Sequence, residues 1–125
     1  MSQIPPFHFE EHCAEEDGAF YASLGLSIHN GEQLLREIDQ LFHFPGYFGF
    51  NWDALYDCLR DLSWITERQV VLMHAELPSI PEQELRIYLE VLRDAVLDWK
   101  DSDSHSLAVF FHPKDRGRIV ELLGP

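Results

Sequence analysis

Residues Gln69 to His74 place four apolar side chains in a row, Val70-Val71-Leu72-Met73. A strand with one wet face alternates apolar and polar residues. An unbroken β-branched and aliphatic run therefore reads as a strand buried on both faces, as in a parallel sheet covered by helices. Such a strand needs neighbouring strands beside it and amphipathic helices above and below, and the rest of the chain supplies both. Phe20, Ala22, Leu24, Leu26 and Ile28 alternate with small or polar residues and predict a first core strand. Leu107 to Phe111 predicts a third, stopped by Pro113.

Helical spacing fills the gaps. From about Glu32 to His43, Leu34, Leu35, Ile38, Leu41 and Phe42 share one face, opposite Arg36, Glu37, Asp39 and Gln40. A second helix follows Asn51 and ends near Ser63. A third starts at Pro81 or Glu82, where proline suits a helix start, and runs to about Lys100. Its apolar face holds Leu85, Tyr88, Leu89, Leu92, Ala95, Val96 and Trp99. The order strand, helix, helix, strand, helix, strand predicts a single-domain α/β layer fold with parallel core strands joined by helical crossovers. Strand order does not follow from these periodicities.

The 125 residues suit one domain, with a core over about residues 20 to 111 and extensions at 1–18 and 113–125. In the first extension, Phe7-His8-Phe9 predicts an edge strand near residues 7 to 13, before an acidic turn through Glu15, Glu16 and Asp17 closed by Gly18. In the second, Arg116 to Leu123 fits a short helix or an edge strand. No apolar run approaches the ~18 residues of a membrane span. The start lacks a basic region followed by an apolar one, so the expectation is a cytoplasmic protein with Cys13 and Cys58 reduced. Twenty-two acids against nine bases give a net charge of −13. That balance disfavours nucleic acid as a direct ligand and favours a basic protein partner. Solubility alone is the competing explanation.

The stretch from Phe44 to Leu59 carries the strongest functional signal. Pro45, Gly46 and Gly49 break regular structure, Asn51 suits an N-cap, and Asp53 lies in the first helical turn, where negative charge is favoured. Trp52, Leu55, Cys58, Leu59 and Leu62 fall on one side of this helix. Asp53, Tyr56, Asp57, Arg60 and Asp61 fall on the other. Asp53, Asp57 and Asp61 recur every four residues, a spacing at which like charges repel slightly. A solvated polar face competes with a binding face here. Asn51 is explained equally well by capping alone, and Tyr56 by a half-buried boundary position.

The same stretch resembles the barstar family of intracellular ribonuclease inhibitors. The matching residues are Pro45, Tyr47-Phe48-Gly49, Asn51, Trp52, Asp53-Ala54-Leu55, Tyr56 and Asp57-Cys58-Leu59. A second match, Leu89-Glu90-Val91-Leu92-Arg93-Asp94-Ala95, is similar to the family's last core helix. The resemblance implies a three-stranded parallel sheet packed by helices. It also implies a cytoplasmic inhibitor of a guanyl-type microbial ribonuclease or ribonuclease toxin, with no chemistry of its own. The complete set of apolar faces and the absence of ligand spacing predict a folded monomer without metal or cofactor. Tyr47, Asn51, Asp53, Tyr56 and Asp57 match positions of the family's ribonuclease-binding surface, and Asp94 matches an acid of that surface. Asp61 joins them as a candidate on helical spacing. The chain departs from the family by Tyr for Trp at position 56, by Phe50 where a polar residue is common, and by its terminal extensions.

Two other classes stay open. An acidic adaptor would use the same helix face on a basic partner that is not a nuclease. A small hydrolase would use Cys58 or a His/Asp pair, although Cys58 lies among Leu55, Leu59 and Leu62. The histidines His8, His12, His29, His43, His74, His105 and His112 share no ligand spacing, which argues against a metal site.

Overall fold

The computed structural model describes residues 5–11, 18–25, 28–100 and 102–124. His12, Cys13, the Glu15-Glu16-Asp17 turn and Leu26 lie outside the described residues. The elements are β1 (His8–Phe9), β2 (Ala19–Leu24), α1 (Gly31–Phe42), α2 (Trp52–Asp61), β3 (Gln69–His74), α3 (Glu82–Asp98), β4 (Ser106–Phe111) and α4 (Arg116–Leu123), the last entered through a 3-10 turn at Pro113–Asp115.

The strands form one sheet in the order β1-β4-β3-β2, and every pair is parallel. The continuous apolar run is thus an interior strand: Val71 lies opposite Tyr21 on one side and Ala108 on the other. Val70, Val71 and Leu72 have at most 1% of their surface exposed. The chain crosses from β2 to β3 through α1 and α2, and from β3 to β4 through α3. The sheet has four strands where the family resemblance implies three. The extra one is a two-residue version of the expected edge strand, held by aromatic packing: Phe7 lies 5.1 Å from Phe111 and His8 stacks on Phe110 at 4.5 Å. The final segment is a helix, because Ile119 and Leu122 must both reach the core.

Helix ends differ from the periodic reading by one or two residues, and the causes are local. The Asn30 side chain accepts from the Gln33 amide at 2.8 Å, so α1 begins at Gly31. It stops when His43 turns left-handed, at φ 54°. Leu62 does the same for α2, at φ 52°, and swings a completely buried side chain into the core; the helix therefore ends before Ser63. Trp99 leaves α3 in extended conformation, and its indole N–H donates to the Leu59 carbonyl at 2.9 Å. That bond joins the C-terminal ends of α2 and α3.

The core runs from Leu34, Ile38 and Phe42 on α1, through Leu55 and Leu59 on α2, to Leu89 and Leu92 on α3 and Phe111 on β4. Burying each such side chain favours folding by about 1.5–3 kcal/mol. His74 is enclosed beside them. His74 Nδ1 lies 3.0 Å from the Phe110 carbonyl and Nε2 lies 2.7 Å from the Tyr88 hydroxyl. A neutral ring satisfies both: Nδ1–H donates to the carbonyl while Nε2 accepts from the phenol. Burial holds the His74 pKa down at about 4.

Candidate partner-binding face

The loop before α2 is pinned by its aromatics. The Phe48 amide donates to the Pro45 carbonyl at 3.0 Å, and the Phe48 ring, buried, lies 4.7 Å from Phe44. Neither Gly46 nor Gly49 makes the left-handed turn expected of a tight loop; Phe50 makes it, at φ 53°. Asn51 then caps α2, its side-chain oxygen accepting from the Ala54 amide at 2.8 Å. The cap sets the rotation of the helix. Leu55, Cys58 and Leu59 are fully buried, which turns Asp53 and Asp57 outward.

α2 packs along α3, and the seam between them opens into a concavity of ≈ 350 Å³ lined by Asp53, Tyr56, Asp57, Val91 and Asp94. Two helices separated in sequence by β3 thus bring three carboxylates to one place, with Tyr56 and Val91 between them. Arg93 Nε donates to Asp94 at 3.0 Å across an exposed pair. Exposed pairs of this kind contribute little and leave the acid free to exchange partners.

Asp61 and Tyr47 stand apart from that concavity and bond each other, the Tyr47 hydroxyl donating to the Asp61 carboxylate. This bond and a second from Ser63 hold the Asp61 carboxyl below the usual aspartate range. Desolvation and the bond to Asp61 push the Tyr47 phenol well above the usual tyrosine range. Tyr47 is still 57% exposed, so a carboxylate at the end of α2 orients an aromatic that faces solvent.

Sequence spacing placed Arg60 on the polar side of α2 but did not single out Asp98 as part of this face. The Tyr56 hydroxyl donates to Asp98, one helical turn beyond Asp94. That four-residue step was visible in the sequence, but the tie to Tyr56 was not. The Arg60 guanidinium lies 4.2 Å from the centre of the Trp99 ring, and its Nη1 is buried without a hydrogen-bond partner.

The hydrolase alternative meets a physical obstacle at Cys58. Cys58 is completely buried, and burial pushes its thiol up to about 11, so it is protonated at neutral pH and poorly nucleophilic. Among the described residues no group of His, Cys, Asp and Glu is placed to hold a metal ion. No helix among them is long and apolar enough to cross a membrane.

A family model described as Barstar (barnase inhibitor) matches residues 20–112, from the second residue of β2 through the first residue after β4. The chain belongs to the barstar family. The match takes in both helices of the acidic concavity, whereas β1 and α4 lie outside the barstar-matched span. No curated protein matches the chain. The family is described as one of inhibitors, a protein-binding role that fits a face built from carboxylates and aromatics on rigid helices.

Proposed function

We propose that this barstar-family chain inhibits a guanyl-type ribonuclease by filling its RNA-binding cleft with the α2–α3 face. The observation that carries the proposal is the meeting of Asp53, Asp57 and Asp94 in one concavity beside Tyr56. An enzyme that grips RNA phosphates must present Arg, Lys or His around its active site. Three carboxylates on a fixed scaffold imitate the phosphate charge without offering a bond to cleave. Asp57 takes the central position, flanked by Asp53 one turn earlier and Asp94 on the neighbouring helix. Tyr56 excludes water as the faces close, which strengthens each ion pair.

Tyr47, Asn51 and Asp61 form the rim of the same interface: Asn51 holds the first turn of α2, and Asp61 holds Tyr47. The net charge of −13 draws a basic enzyme in from a distance. The free chain acts as a monomer in the cytoplasm, where the buried Cys58 stays reduced. Titration of the chain into barnase, followed by RNA cleavage, tests the proposal. The expected result is one-to-one inhibition with a Kd well below about 1 μM. An enzyme that stays fully active in excess chain at that concentration contradicts it.

A further inference from the structure

Phe50 has properties that folding alone does not require. Its ring is 49% exposed. Its backbone sits at φ 53°, in the left-handed region where a side chain with a Cβ is sterically disfavoured. It leans on Phe48 at 4.8 Å and borders an open groove of ≈ 720 Å³. The N-terminal ends of α1, α2 and α3 wall this groove through Gly31, Trp52 and Glu84. Gly31 keeps its floor clear: a Cβ there would come within 2.9 Å of Glu84 Oε1 and 3.2 Å of the Trp52 ring.

Charge in the groove is uneven. Glu32 is bound to Arg36 at 2.8 Å, whereas Glu84 has no ion pair among the described residues. The groove and the acidic concavity are lined by consecutive residues at the start of α2, Asn51 and Trp52 in the one and Asp53 in the other. A strained and exposed aromatic costs the free chain twice, and such strain persists where a site uses it.

We propose that this groove is a second contact for the same ribonuclease and takes one Lys or Arg side chain from it. The aliphatic stem lies along Phe50 and Trp52, the cation meets their ring faces, and the charge reaches Glu84. This rests on the inhibitor function proposed above and extends its interface around the start of α2.

Barnase is the probe, with Phe50→Gly, Phe50→Asn and Glu84→Gln measured beside Asp57→Ala. Glycine and asparagine both tolerate the left-handed backbone. Each Phe50 variant is expected to melt within about 2 °C of the parent or above it. Each should bind barnase about tenfold more weakly or worse, mainly through faster dissociation. Glu84→Gln should lose roughly threefold, with a shallower salt dependence, as expected for a charge in the contact. If the Phe50 variants bind barnase like the parent while Asp57→Ala does not, the groove proposal is overturned and the inhibitor function stands. If the parent chain itself does not bind barnase, both fall. If the Phe50 variants melt more than about 5 °C lower with affinity unchanged, Phe50 serves folding and the proposal is overturned.

Discussion

The Tyr56 hydroxyl donates a hydrogen bond to Asp98, joining the middle of α2 to the end of α3. The bond raises the Tyr56 phenol above the usual tyrosine range. It also fixes the ring at the edge of the concavity that Asp53, Asp57 and Asp94 share. Tyr56→Phe keeps the ring and removes the bond. The expected loss of stability is about 0.5–1.5 kcal/mol, measured by urea unfolding. Tyr56→Ala should in addition weaken barnase binding about tenfold or more, as truncation of a central aromatic does. A Tyr56→Phe unfolding curve that overlays the parent would show that solvent replaces the bond at no cost.

Asp57 is expected to be the most sensitive position for inhibition. Enclosure by the enzyme removes water from the carboxylate, and truncation strands the cations that faced it. Losing one side of such a pair costs about 2–5 kcal/mol or more, a range drawn in part from the family's own barnase–barstar pair. Asp57→Asn keeps the shape and should lose most of the affinity as well. Thermal melts should match the parent, because the side chain is exposed and Leu55 and Leu59 hold the helix. Calorimetric binding of Asp57→Ala within about threefold of the parent would refute charge mimicry.

Association with barnase should slow as salt rises. A chain of net charge −13 meets an RNA-binding surface, and ions screen that long-range attraction. Dissociation should respond less, because the central contacts are dehydrated. Stopped-flow association rates that stay constant between about 0.01 and 1 M salt, where the screening length shrinks from roughly 30 to 3 Å, would contradict steering.

His74 makes stability depend on pH in a defined window. Its folded pKa, about 4, lies below the unfolded value of 6.5 because burial penalises the charged ring. The unfolded chain therefore binds a proton first as pH falls. Stability from the neutral ring is fully present above about pH 6.5 and drains away between there and about pH 4. The shift converts to roughly 3 kcal/mol. Urea midpoints from pH 8 downward should hold, then decline through this window. A His74 ring that titrates above pH 6 by NMR in the folded protein would exclude this origin.

Cys58 should resist alkylation in the native chain and react only on unfolding. It is completely buried and its thiol is pushed up to about 11. Peptide mapping after brief treatment with iodoacetamide reads it directly. Rapid labelling of Cys58 in the folded protein would reopen the nucleophile alternative.

Much of the fold was readable because its signals are local. The run Val70-Val71-Leu72-Met73 demanded a buried strand, and the face of Leu55, Cys58 and Leu59 set which side of α2 is dry. Asn51 marked where that helix begins, since a cap bonds only three residues ahead. From these, sequence alone determined the strand and helix alternation of an α/β layer fold and an outward row of acids on α2. The apolar face it read for α3 also leaves Asp94 out. Tertiary structure alone decided what those rows meet. The pairing of β1 with β4, the concavity joining Asp53 and Asp57 to Asp94, and the seam bond from Tyr56 to Asp98 all link residues distant in the chain. The left-handed turns at Phe50 and Leu62 run against local preference. Leu62 accepts its turn because its side chain then reaches the core, a gain that packing provides and that no neighbour in sequence reveals.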